Sequence, residues 1–125
     1  PKLLGVTVLT SLDRSDLEST GVDADPSDQV LRLAALAHES GLDGVICSPL
    51  EIEALRKQCG PDFVLMVPGI RPVGSAANDQ KRAMTPRQAV DLGATNLVVG
   101  RPIYQAQDPR AAAEAIAREA GVNDL

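Results

Sequence analysis

Two short runs carry the residues best suited to chemistry, Val67-Pro68-Gly69-Ile70-Arg71-Pro72 and Val99-Gly100-Arg101-Pro102. Each is an apolar run that breaks into glycine, arginine and proline, the pattern of a buried parallel strand whose C-terminal end opens onto an anion site. Both arginines then stand at strand ends on the same rim, as local anion contacts. The residues alone leave other readings open. Arg101 also reads as a surface arginine paired with Asp108, Arg71 as an anchor for its own loop, and Thr10 and Ser11 as caps of the turn after them.

The elements that would hold these residues alternate. Leu3 to Thr10 is β-branched and apolar with little polar alternation, which predicts a strand buried on both faces. Pro26 to Ser40 keeps helical spacing at Val30, Leu31, Leu33, Ala34 and Ala37, with Ser27 as N-cap and Gly41 as the stop. Gly44 to Cys47 predicts a short strand, Leu50 to Gln58 a helix ending at Gly60-Pro61, and Phe63 to Val67 a third strand. Thr85 opens and Gly93 closes a helix over Pro86 to Leu92, which leads into a strand over Asn96 to Val99. A last helix runs from Asp108-Pro109 to Ala120. The acidic stretch containing Asp13, Asp16, Glu18, Asp23, Asp25 and Asp28 reads as a solvated loop and helix start. His38 falls mid-helix, with no second histidine or carboxylate pair that would make a triad.

Four β-α units imply a parallel sheet with right-handed crossovers. No GxGxxG follows the first strand, which disfavours a dinucleotide fold. Four units are half of a (β/α)8 barrel, and 125 residues is about half of the roughly 250 typical of that fold. The expected fold class is therefore α/β, with residues 1–125 forming a single half of a (β/α)8 barrel. Pro1 stands only two residues before the first strand, as in a piece or processed form of a longer chain.

Composition narrows the partners. A net charge of -5 leaves no basic face for nucleic acid or an anionic membrane, and aromatic content of 2% leaves no stacking platform. No apolar run is long enough to span a bilayer and no leader pattern opens the chain, which predicts a cytoplasmic protein. Cys47 and Cys59 have neither a disulfide framework nor metal-ligand spacing. No metal site is expected.

Taken together, Val6-Thr7-Val8-Leu9-Thr10-Ser11, Gly41 through Pro49, Pro68 through Pro72, Asp79-Gln80 with Arg82, Thr85-Pro86 and Val99 through Ile103 resemble the bacterial orotidine 5′-phosphate decarboxylase family along essentially the whole chain, as its C-terminal half. The resemblance implies a homodimeric (β/α)8 barrel that releases CO2 from orotidine 5′-phosphate to give UMP in pyrimidine biosynthesis, with no metal or organic cofactor. It assigns phosphate contact to Arg101 and the Gly100 amide. It places Gln80 in a closing lid over Val73 to Lys81, Arg71 at the base of that lid, Pro68 beside the pyrimidine base, and Thr10 near the ligand.

The same resemblance exposes a gap. The family's proton-donating lysine lies in an Asp-x-Lys-x-x-Asp array, and no such motif occurs here, where the lysines are Lys2, Lys57 and Lys81. The chain is thus expected to supply nucleotide-binding elements with no catalytic residue of its own, and to be inactive alone. It would work with an N-terminal half barrel. The alternative is a non-catalytic, self-associating half barrel or phosphate-binding scaffold that pairs with a second copy of itself; a further one is another phosphate-handling barrel enzyme. A homo-oligomer is expected in either of the first two cases, because unpaired strand edges disfavour a lone monomer.

Overall fold

The alternation of strand and helix is present in a computed structural model, which describes residues 1–74 and 84–122. Strand β1 (Leu4–Val6) is followed by helices α1 (Arg14–Ser19) and α2 (Pro26–Glu39), and β2 (Gly44–Ile46) by a 3-10 turn at Pro49–Glu51 and α3 (Ile52–Cys59). Then come β3 (Val64–Val67), α4 (Pro86–Leu92), β4 (Asn96–Leu97), α5 (Arg101–Tyr104) and α6 (Pro109–Glu119). The four strands form one sheet in the order β1-β2-β3-β4, and every pair is parallel. Four β-α units in sequential order make half of a (β/α)8 barrel.

Register separates the two faces of this sheet. Val6, Ile46, Met66 and Asn96 share one row. Because strand side chains alternate, their neighbours Val45, Cys47, Leu65 and Val67 point the other way. Those neighbours are buried, and they join Val30, Ala34, Ile52, Leu55 and Ala89 from the helices in one core. The core is therefore the layer between sheet and helices. The Val6 row faces the concave side, where Val6 is 61% exposed. Gly44 lies in this sheet at a close approach: a methyl group there would overlap the Val64 carbonyl of β3.

Several boundaries differ from the sequence expectation, each for a local reason. β1 ends at Val6, not Thr10, because its ladder with β2 ends at Ile46; the Thr7 hydroxyl donates to the Ile46 carbonyl at 2.6 Å and the chain then turns. β4 covers Asn96–Leu97 only, although the Val98 amide still donates to the Val67 carbonyl at 2.9 Å. The cap of α2 is Asp25 with Pro26 in the first turn, two residues before Ser27. A proline needs no N–H partner there. α3 begins only at Ile52, since the buried Ser48 hydroxyl bonds the Glu51 carboxylate and holds a 3-10 turn. Asp13, Asp16 and Glu18 of the acidic stretch fold into α1 and its cap through a capping box between Asp13 and Asp16, where a loop was expected, while Asp23 and Asp25 lie in the loop before α2 and Asp28 in its first turn. Arg14 of α1 reaches Glu18, Asp23 and Asp25 at 2.7–2.9 Å. Hydrogen bonds with Asp25 and then Glu18 raise its pKa further, which keeps it charged. His38 is exposed on α2, its ring 4.9 Å from that of Phe63. The helices over Pro86–Leu92 and from Asp108 keep their expected caps, Thr85 and Asp108, and Gly93 closes α4 in the left-handed region at φ 117°.

Arg56 fastens the N-terminal end of the sheet. Its guanidinium donates to the carbonyls of Gly60 and Phe63 at 2.7 Å, to that of Gly93 at 2.6 Å, and to the Thr95 hydroxyl at 3.3 Å. It thereby joins the loop before β3 to the loop before β4. Replacing Arg56 by Met leaves these acceptors without their charged donor and is expected to cost about 3 kcal/mol, read as a lower urea midpoint with an unchanged m-value.

Candidate functional site

The opposite, C-terminal end of the sheet holds the candidate residues. Where β3 ends at Val67, Pro68 and Gly69 turn the chain, Gly69 at a φ of 78° that suits glycine. The Arg71 amide donates to the Met84 carbonyl at 2.9 Å and the Met84 amide to the Gly69 carbonyl at 3.2 Å, a bridge that ties this turn to the start of α4. Where β4 ends, Gly100 caps α5, whose first residue is Arg101.

These two strand ends enclose a cavity of about 190 Å³ lined by Pro68, Gly69, Arg71, Val98, Gly100, Arg101 and Tyr104. That is room for a phosphate with several waters, given roughly 30 Å³ per water in the liquid. A second cavity of about 250 Å³ meets it at Pro68 and is lined by Val6, Val8, Leu9, Thr10, Ser11, Ile46, Cys47 and Pro68. The structure thus gathers Pro68, Arg71, Gly100 and Arg101 around one space and puts the buried Thr10 in the adjoining one. Gln80 and the rest of 75–83 lie outside the described residues.

Arg71 is the electrostatic centre of this region. Only 8% of it is exposed, one guanidinium nitrogen donates to the neighbouring Ile70 carbonyl at 2.9 Å, and its Nε has no hydrogen-bond partner. A buried cation with an unmet donor is costly unless an anion arrives. Arg101 is half-buried across the same cavity, so both positive charges converge on one small volume. Asp108 accepts the Ala111 amide at 3.0 Å as the cap of α6. Tyr104 and Val98 also line the cavity; the sequence reading passed over both, because α5 was not foreseen and it is α5 that brings Tyr104 back over Gly100. Lys2 precedes β1 at the far end of the sheet and Lys57 is exposed on α3, so neither reaches the cavity. No cluster of three or more His, Cys, Asp or Glu suited to a metal occurs among the described residues, and no described helix is long and apolar enough to cross a membrane.

Comparison with known proteins follows the same lines. The family model for the orotidine 5′-phosphate decarboxylase / HUMPS family matches residues 1–116. The chain belongs to this family. Curated orotidine 5′-phosphate decarboxylases from Glaesserella parasuis serovar 5 and Pseudomonas savastanoi pv. phaseolicola are 56% and 58% identical over 93% and 95% of this chain, which cover 50% and 51% of theirs. The crystal structure of orotidine 5′-phosphate decarboxylase from Lactobacillus acidophilus superposes with a TM-score of 0.81 at 45% identity, covering 96% of this chain and 49% of that one. The enzyme from Pyrococcus horikoshii OT3 gives 0.58 at 30% identity over 74% of this chain. The chain spans about half the length of the curated relatives it matches.

Because Arg71 is buried and its Nε has no hydrogen-bond partner among the described residues, Arg71→Met is expected to leave the urea midpoint in phosphate-free buffer equal to or above that of the parent chain. Inorganic phosphate at a hundred times its Kd should add about 2.7 kcal/mol to the parent and none to the variant.

Proposed function

We propose that residues 1–125 are a single half barrel, the C-terminal half of an orotidine 5′-phosphate decarboxylase, and that they supply its nucleotide-binding wall. The reading rests above all on the buried Arg71, whose Nε has no partner, facing the same small cavity as Arg101 at the C-terminal ends of two parallel strands. The 5′-phosphate of orotidine 5′-phosphate or UMP takes the Arg71–Arg101 cavity, and the pyrimidine lies past Pro68 against the cavity that holds Thr10. Gly100 contributes its amide, and the family resemblance gives Gln80 a contact with the phosphate and the pyrimidine. Membership of the family supports these roles, as does the match in position to the C-terminal end of the sheet, where barrel enzymes place their sites.

The chemistry assigns the rest to another half barrel. Loss of CO2 leaves an electron pair on the pyrimidine carbon, which must be stabilised and then protonated. Neither Lys2 nor Lys57 is placed to do it. An N-terminal half barrel carrying the lysine and aspartate array completes the site, and the assembled enzyme works in the cytoplasm, as a homo-oligomer, without metal or organic cofactor. Phosphate binding in such a site lets remote contacts organise the reacting centre.

Two outcomes test this. The 125-residue chain alone should bind UMP yet release no CO2 from orotidine 5′-phosphate above background, whereas co-expression with the N-terminal half of a relative should restore turnover. Measurable decarboxylation by the chain alone would sink the proposal. In the restored enzyme Arg101→Ala should lower kcat/KM by about 10²–10³-fold, the loss of a charge-assisted phosphate contact.

A further inference from the structure

Of the residues that line the cavity between β3 and β4, only Arg71, Arg101 and Tyr104 carry a side chain that can hydrogen-bond; the rest are glycine, proline and valine. Two of the three are cations. The third is a phenol, and its place follows from the chain around it. Gly100-Arg101-Pro102-Ile103-Tyr104 closes one tight turn, in which the Ile103 and Tyr104 amides donate to the Gly100 carbonyl at 2.9 and 3.2 Å. Residues three apart on such a turn are neighbours on one face, so Tyr104 stands beside Arg101. Its ring folds back over Gly100: a β-carbon built on that glycine would meet Tyr104 Cε1 at 3.6 Å. Cε1 is bonded to the carbon that bears the hydroxyl, so the polar end of the ring, and not its stem, reaches Gly100. The hydroxyl makes no hydrogen bond to another described residue.

We propose that the Tyr104 hydroxyl is a third side-chain donor to the anion, beside the guanidinium groups of Arg71 and Arg101. This role rests on the cavity being the phosphate site and adds a residue to it. A phosphate group presents several acceptor oxygens in different directions, more than two guanidinium groups need to saturate. A phenol O–H bonded to an anionic oxygen is charge-assisted and about twice as strong as a bond between neutral groups. Unlike a third cation, it adds no like charge to a space that already holds two. The turn over Gly100 also fixes the ring on the backbone of the strand end, so little freedom is left to lose when the anion binds.

Tyr104 is the single tyrosine of the chain, which has no tryptophan, so near-ultraviolet tyrosine absorption and emission report on this position alone. Inorganic phosphate titrated into the 125-residue chain is expected to change both along a curve that saturates at the Kd read by calorimetry, and the change should vanish in Arg101→Ala. Tyr104→Phe keeps the ring and removes only the hydroxyl; it should bind phosphate about tenfold more weakly with an unchanged urea midpoint. Phosphate binding by Tyr104→Phe within twofold of the parent overturns the proposal. So does calorimetric binding by the parent with no change in the tyrosine signal, a result that needs no substitution at position 104 and holds even where Tyr104→Phe folds poorly. The nucleotide site itself fails differently. Phosphate binding that survives both Arg71→Met and Arg101→Ala, or a parent chain that binds no phosphate, counts against the proposed function and takes the role of Tyr104 with it, whereas loss of binding in the arginine variants with full binding by Tyr104→Phe removes the phenol alone.

Discussion

A parallel sheet must satisfy backbone donors and acceptors along every strand and cover two faces, and this chain does so on one face only. On the convex side, α2, α3 and α4 cover Val45, Leu65 and Val67 so completely that none is exposed. On the concave side Val6 and Asn96 are exposed and Ile46 and Met66 half-buried. The same asymmetry holds at the edges.

The cavity lined by Arg71 and Arg101 is built from β3 and β4, adjacent strands whose pairing fixes Pro68 and Gly100 relative to each other, and the Ile70–Met84 bridge sets the backbone of Arg71. The cavity holding Thr10 lies where β1 and β2 end and adjoins it at Pro68.

What the sequence disclosed depended on whether a local signal fixed the outcome. Capping is such a signal: Thr85 with Gln88 and Gly93, or Asp108 with Pro109, mark α4 and α6 to the residue. Strand length is not. The apolar run Leu3 to Thr10 looks like a long strand, but a ladder lasts only as long as its neighbour, and β2 ends at Ile46. α1 went unread because its charges resemble those of a solvated loop, although Asp13 and Asp16 form a capping box that the spacing contains. α5 is four residues long, too short for periodicity to show, and Tyr104 was missed with it. Arg71 and Arg101 were legible because glycine and proline punctuate strand ends. That Arg71 would be buried with an unmet Nε was not, since burial is decided by packing around Ile70 and Met84.

Arg56 and Arg71 show what the two ends of such a sheet are for. At the N-terminal end Arg56 has four acceptors drawn from two loops, so its charge is spent within the fold and its role is to hold β3 and β4 together. At the C-terminal end Arg71 is equally integral to the chain but keeps one donor unmet, beside a cavity and a second arginine. Folding stability alone favours an apolar residue at position 71, because a buried cation without a partner raises the free energy of the folded state. An anion of about phosphate size is the ligand proposed for that geometry, and the cost of leaving the Nε unmet would become part of the affinity on binding.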